Sequence, residues 1–290
     1  MRNIFRHLLL LLLLIGMFSC DDTDNSEDIT STNPLEFHEE LNISYGTDSD
    51  QVFDLYLPAN RTEDTKIMIL IHGGGWTSGD KVDMNGFRDY MLENVSDIAI
   101  VNMNYRLAEN TSEAYPMQIN DITSVVNHLK NKQNEYVISD DLGFLGVSAG
   151  AHLSMLWSYA FDSFNQTKML CSIVGPTNFT DPAYLNSTDP ELQAILNVFD
   201  VHATTALLEE VSPYHQVTAS APPTILFYGG QDPLVPTTQG TAMRDKLENL
   251  GVIHDFTLYQ NEGHGWVGLN LLDTTIKLHT FIEAHLDTED

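Results

Sequence analysis

The chain is poor in cysteine and in positive charge. Its 290 residues hold 2 cysteines, and 13 Lys and Arg stand against 41 Asp and Glu, a formal net charge of −28. So acidic a body repels phosphate backbones and anionic headgroups, which argues against nucleic acid as a partner. Two cysteines provide no disulfide framework; Cys171, inside the apolar run Leu170 to Val174, reads as a buried structural thiol. No internal repeat is present, and the 11 histidines show neither HExxH nor paired ligand spacing, so neither a metal nor another cofactor is expected. What the chain does have is 42% hydrophobic residues over a length that suits one large α/β core.

The N-terminus departs from this globular pattern. Arg2 and Arg6 precede the apolar run Leu8 to Ile15, which Gly16-Met17-Phe18-Ser19-Cys20 follows. A basic start, a short apolar stretch and a small residue before a cleavage point make residues 1–19 an export signal, too short for a comfortable membrane span; an uncleaved anchor helix is the competing reading. Ser19-Cys20 is similar to the end of bacterial lipoprotein signals, and that resemblance implies lipidation of Cys20 and attachment to a membrane through its acyl chains. The tract Asp21, Asp22, Asp24, Glu27 and Asp28 resembles the surface-export signal of lipoproteins from the Bacteroidetes group. The location so implied is the cell envelope, with the lipid anchor in the outer membrane of a Gram-negative bacterium. By composition the tract is equally a solvated linker, and residues 20–34 are linker in both readings. Residues 35–290 are then a single domain.

Within that domain, Gln51 to Leu57 alternates with period two until Pro58, which predicts a half-exposed antiparallel strand. The later strand candidates are continuous apolar runs: Ile67 to Ile71, Ile98 to Met103, Leu142 to Val147, Leu170 to Val174 and Thr224 to Tyr228. Such runs suit strands buried on both faces of a parallel sheet. Helical spacing separates them, in Ile122, Val125, Val126 and Leu129, in Met243, Leu247 and Leu250 before Gly251, and in Leu271, Leu278, Ile282 and Leu286. The alternation predicts an α/β fold with a mainly parallel central sheet and helices on both faces. Residues 176–215, with Pro176, Pro182, Pro190 and Pro213, break the alternation and are expected as an insertion at the strand ends, a lid or a substrate wall.

The chemistry is carried by glycine-flanked turns. Gly146-Val147-Ser148-Ala149-Gly150 follows a buried run, and a serine at a sharp strand-to-helix turn is exposed as a nucleophile. A serine hydroxyl needs a base, and the base needs an orienting acid. His264 in Glu262-Gly263-His264-Gly265-Trp266 and Asp232 in Gly230-Gln231-Asp232-Pro233 are the candidates; each alone is also ordinary loop chemistry. His72-Gly73-Gly74-Gly75-Trp76 follows Ile67 to Ile71, and its unobstructed backbone N–H groups suit a developing oxyanion. A phosphate loop is the competing reading, but neither GxGxxG nor GxxxxGK[ST] spacing is present.

These motifs, with Tyr105-Arg106-Leu107 and Gly150-Ala151-His152-Leu153, resemble the carboxylesterase branch of the α/β-hydrolase superfamily, which includes the hormone-sensitive-lipase-like esterases. The string Ile71 to Lys81 is closer to the bifunctional acetyl and feruloyl esterases of plant polysaccharides. The resemblance spans about residues 50–286. It implies an α/β-hydrolase fold and the order nucleophile, acid, base met here by Ser148, Asp232 and His264. It also makes Gly73, Gly74 and Ala149 the oxyanion donors, His72 a structural residue of the loop and His152 a packing residue of the nucleophile helix. Trp76 and Trp266 are candidates to flank a planar acyl or sugar ring, with simple packing, the commoner fate of loop tryptophans, as the competing reading. The activity implied is hydrolysis, through an acyl-enzyme, of short-chain or carbohydrate-linked esters of acetyl or feruloyl type, so the partner is a small-molecule or polysaccharide-linked ester. A surface glycan-binding lipoprotein on a retired hydrolase fold, and a lipase or formamidase of the same fold, are the alternatives.

Overall fold

The computed structural model describes residues 34–109, 112–200 and 202–286; the export signal, Cys20 and the acidic tract lie outside the described residues. An eight-stranded sheet forms the centre, built from β1 (His38–Ser44), β2 (Val52–Leu57), β3 (Ile67–Ile71), β4 (Ala99–Met103), β5 (Leu142–Val147), β6 (Thr167–Ile173), β7 (Thr224–Gly229) and β8 (His254–Tyr259). The strand order is β1-β2-β4-β3-β5-β6-β7-β8, antiparallel across the first two pairings and parallel in the rest. The helices are α1 (Asn85–Asn94), α2 (Ala114–Tyr136), α3 (Ala149–Ala160), α4 (Pro182–Leu185), α5 (Pro190–Asn197), α6 (Thr205–Glu210), α7 (Pro213–Gln216), α8 (Thr237–Leu250) and α9 (Leu269–His285).

The continuous apolar runs are explained by the two core clusters. Ile67, Ile69 and Ile71 of β3 join one cluster with Val125 and Leu129 of α2, Leu153 of α3 and Met243 of α8. Met68 and Leu70 join the other with Met91 of α1 and Leu278 and Ile282 of α9. Alternate residues thus point to opposite faces, and both faces are apolar because helices cover both.

Two expectations need correction. Residues 52–57 do pair antiparallel with β4, but β2 is buried rather than half-exposed. The polar member of its alternation, Asp54, faces the Lys81 ammonium, which donates to both carboxylate oxygens at 2.8 and 2.7 Å. Pairing, not solvent, satisfies the charge. Residues 176–215, expected only as a break in the alternation, hold short helices of their own: Pro182, Pro190 and Pro213 open α4, α5 and α7. A first-turn proline gives up an N–H that would have no intrahelical partner, and Asp181 and Asp189 cap the N–H groups of Ala183 and Glu191.

This inserted segment is built onto the core. The Gln239 side chain of α8 accepts the N–H groups of Thr177 and Asn178 at 2.9 and 2.7 Å, and Ser212 Oγ accepts that of Phe179 at 2.8 Å. Phe179 and Phe199 pack on Trp76 with ring centroids 5.9 and 5.1 Å away.

The register positions the chemistry. The chain runs from β3 outward to β4, then crosses back to place β5 on the other side of β3, and ligands bind at such switch points beyond the carboxyl ends of strands. Ile71 is level with Gly146, so the glycine loop after β3 and the serine turn after β5 leave the sheet side by side. Gly229 is level with Tyr259, which does the same for the loops after β7 and β8.

Candidate active site

Ser148 sits between β5 and α3 with φ 53 and ψ −118, a conformation L residues rarely adopt. The turn is held by its own backbone: Ser148 N–H donates to Ile173 at 2.8 Å, and its carbonyl accepts the N–H of His152 at 3.0 Å. Gly150 makes this possible, because a Cβ there would collide with the carbonyl oxygens of Ile71 and His72 at the end of β3. Close passage of helix across strand puts the start of α3, with its unpaired N–H groups and positive end, directly behind the serine.

The His264 ring bridges serine and acid. Its Nε2 is 2.8 Å from Ser148 Oγ and its Nδ1 is 2.8 Å from Asp232 Oδ2. The Asp232 side chain is fully buried, and its other oxygen accepts the N–H groups of Leu234 and Val235 at 2.8 and 2.9 Å. Both carboxylate oxygens are therefore engaged, which fixes the acceptor facing Nδ1. The two loops are tied together as well, with Gly230 N–H on Tyr259 and Gln231 N–H on Glu262, both at 2.8 Å.

The glycine loop lies against the serine. A Cβ on Gly73 would touch Ser148 Cβ at 3.2 Å and the Val147 carbonyl at 3.1 Å. Gly74 has φ +110, which favours glycine, and its carbonyl accepts the N–H groups of Thr77 and Ser78 to close the turn. His72 holds the loop from beneath: buried, it donates from Nδ1 to the Gly73 carbonyl at 2.7 Å and stacks on Tyr105 with centroids 4.3 Å apart. Tyr105 Oη donates to the His72 carbonyl at 3.0 Å. Burial pushes the His72 ring below the usual histidine range, so it stays neutral. Arg106 from the same motif donates to the buried Asp121 carboxylate, which also accepts from Gln51.

His152 is the hidden joint of the site. Its Nδ1 accepts the Trp76 indole N–H at 3.1 Å, which leaves Nε2 protonated to donate to the Val211 carbonyl at 2.7 Å. One buried ring thereby connects the glycine loop, the nucleophile helix and the inserted segment. Burial pushes it down to about 4.

A cavity of about 560 Å³ opens over these groups, bordered by Gly73, Gly74, Ser148 and His264 on the chemical side and by Ile195, Val198, Leu234 and Val235 opposite. Trp76 also borders it, but the ring is 2% exposed and locked by His152, Phe179 and Phe199, so most of its surface packs the core. Trp266 is not brought to the cavity. Its indole donates to Thr274 Oγ1 at 2.8 Å and its ring packs on Tyr259, which holds it against α9. Of the two readings of Trp266, these contacts match packing.

Ile195 and Val198 escaped sequence reading because α5 is too short to show a helical period; both pack on the core and also border the cavity. Gln239 and Val211 escaped it too, since an amide on a helix and a carbonyl carry no motif. Among the described residues, no cluster of His, Cys, Asp and Glu could hold a metal ion, and no helix is long and apolar enough to cross a membrane.

Comparison with known proteins bears on the family and the fold. The BD-FAE family profile matches residues 53–247, more than half of the chain. Esterase LipC of Mycobacterium tuberculosis is 23% identical over 224 residues, which cover 71% of this chain and 54% of that protein. The probable isoprenylcysteine alpha-carbonyl methylesterase ICMEL1 of Arabidopsis thaliana is 25% identical over 248 residues, 77% of this chain and 50% of that one. The chain thus spans about half the length of these curated relatives. Among solved structures, a truncated form of carbohydrate esterase from gut microbiota superposes with a TM-score of 0.68 at 19% identity, over 84% of this chain and 96% of the other. The chain belongs to the BD-FAE family and has the α/β-hydrolase fold.

Proposed function

We propose that the protein is a serine ester hydrolase that works through an acyl-enzyme on short-chain or carbohydrate-linked esters of acetyl or feruloyl type. The observation that carries this reading is the unbroken relay from Asp232 Oδ2 through His264 to Ser148 Oγ, with both links at 2.8 Å, at the floor of a cavity beside the glycine loop. Esterase names among the relatives agree with it.

Ser148 Oγ attacks the ester carbonyl carbon as its proton passes to His264 Nε2, and Asp232 accepts the Nδ1–H of the resulting imidazolium. The N–H groups of Gly73 or Gly74 and of Ala149 donate to the negative oxygen of the tetrahedral intermediate; each such donor is worth roughly 3 to 4 kcal/mol. His264 then protonates the leaving alcohol, and water, deprotonated by the same ring, hydrolyses the acyl-enzyme. The inserted residues 176–215 serve as a fixed wall, with Ile195 and Val198 facing the acyl group. Amide substrates are disfavoured because their amine leaving group departs only when protonated. We further propose that Cys20 carries a lipid anchor in the cell envelope, which loss of detergent-phase partitioning in Cys20→Ser would test.

The test of the activity is turnover of p-nitrophenyl acetate. Ser148→Ala is expected to lose at least about three orders of magnitude in kcat and all labelling by a fluorophosphonate probe. Equal turnover by the two proteins would end the reading.

A further inference from the structure

A second groove, of about 420 Å³, lies beside the catalytic cavity. One wall is the 3-10 turn Lys81–Met84 and α1, with Asp83, Phe87 and Tyr90; the other is the start of α9, with Leu271, Leu272 and Thr275. Tyr90 Oη donates across the groove to the Thr275 carbonyl at 3.3 Å. Asp83 borders both hollows and so stands between cavity and groove.

Three features of the groove point to a ligand. Its described borders hold no Lys, Arg or His, and Asp83 is its only charge. The surface around it is aliphatic: Val82 is 56% exposed, Leu272 53%, Val267 81% and Leu269 83%. Leu271, which the helical stripe of α9 would assign to the core, borders this groove instead. A group of exposed aliphatics around one hollow marks a place where apolar matter binds.

Which half of an ester belongs here follows from the chemistry of the adjacent cavity. The acyl half stays bonded to Ser148 with its oxygen at the glycine loop. The alcohol oxygen must take its proton from His264 Nε2, so the alcohol half leaves on the His264 side. The loop that carries His264 runs on to Gly268, a border of the groove, and α9 starts at Leu269.

We propose that this groove receives the alcohol half of the ester, and that this half is an uncharged alkyl or aryl-alkyl group, which selects the short-chain esters over the carbohydrate-linked ones among the substrates proposed above. The inference rests on the serine ester hydrolase reading of the cavity. The aliphatic walls hold a chain or ring, and the carboxylate of Asp83, in no ion pair among the described residues, turns away anionic alcohols.

Ethyl acetate and 2-phenylethyl acetate, given to the purified full chain, separate the possibilities. They share an acetyl group and an unactivated primary alcohol, so they differ mainly in the bulk that would occupy the groove. The 2-phenylethyl ester is expected to have a kcat/KM at least about tenfold higher. Gly86 borders the groove with open space where a Cβ would stand, so Gly86→Phe fills it without meeting backbone. That variant is expected to bring the ratio of the two kcat/KM values down to about threefold or less, and Leu272→Ser to lower it without adding bulk. Damage to the fold lowers both rates and leaves the ratio alone, so the ratio reports the groove. A wild-type ratio near one overturns the proposal and leaves the hydrolase reading standing. So does a ratio unmoved by both variants. Hydrolysis of neither ester above the Ser148→Ala background removes both. A ratio near one in a dimer that Leu272→Ser makes monomeric would assign the groove to a second copy of this chain.

Discussion

Asp232→Asn is the sharpest test of the relay, because it changes one charge while keeping shape. In the folded protein Asp232 Oδ1 accepts two backbone N–H groups, from Leu234 and Val235, and Oδ2 faces His264 Nδ1. An asparagine can keep the first two bonds only by leaving its carbonyl oxygen where Oδ1 stands. Its amide group then points N–H donors at Nδ1. The imidazole can satisfy them only as the tautomer with a bare Nδ1 and a protonated Nε2. That nitrogen lies 2.8 Å from Ser148 Oγ, so the base presents a proton where it should accept one. The same exchange in another Ser-His-Asp hydrolase lowers kcat by about 10⁴-fold, or ~5.5 kcal/mol, through the same tautomer fault. We expect a kcat loss of that order for p-nitrophenyl acetate. KM should change by less than about threefold, because Asp232 does not border the cavity. The thermal midpoint should stay within about 3 °C, since the backbone bonds survive. A loss of less than about tenfold in kcat, with an intact fold, would refute the assignment of Asp232 as the orienting group.

Three further outcomes follow from the geometry. Gly150→Ala drives a methyl group into the backbone carbonyls at the end of β3, and should destabilise the protein by roughly 2 kcal/mol or more in urea titration while also misplacing Ser148. His152, held at about 4 by burial, refuses a proton that the unfolded chain accepts below about 6.5. A depressed histidine costs nothing above the unfolded value and weakens the fold as pH falls from there toward 4. Its share of the loss between pH 7 and 5 is about 2 kcal/mol, so His152→Gln should flatten the stability profile over that window; an unchanged slope would contradict it. Lys81→Met leaves the Asp54 carboxylate buried without its cation and should cost about 3 to 5 kcal/mol, whereas Lys81→Met with Asp54→Leu should recover much of it in the same titration.

Much of this molecule was legible in its residues because parallel strands covered on both faces must be apolar throughout. Ile67 to Ile71 and Leu142 to Val147 announced themselves in that way. The serine turn and the glycine loop were legible because close backbone approach tolerates only glycine, as Gly150 against β3 makes plain. β1 was not legible. His38–Ser44 is an exposed edge strand with polar residues on both sides, and its pairing with β2 leaves no hydrophobic period to read. Nor was the burial of Asp54 legible, since its partner Lys81 lies 27 residues away.

The sequence by itself determined the buried strands of the sheet, the order of Ser148, Asp232 and His264, and the loops that carry them, because each depends on local spacing and on which residues a turn admits. Only the tertiary structure decided what those loops face. The crossover that puts β5 beside β3 joins the glycine loop to the serine. His152 ties the inserted segment to Trp76, and the folded turns carry Trp266 away from the cavity while Leu271 and Leu272 open a groove beside it. Most of these contacts join residues far apart in the chain, and no local pattern encodes the direction in which a loop side chain finally points.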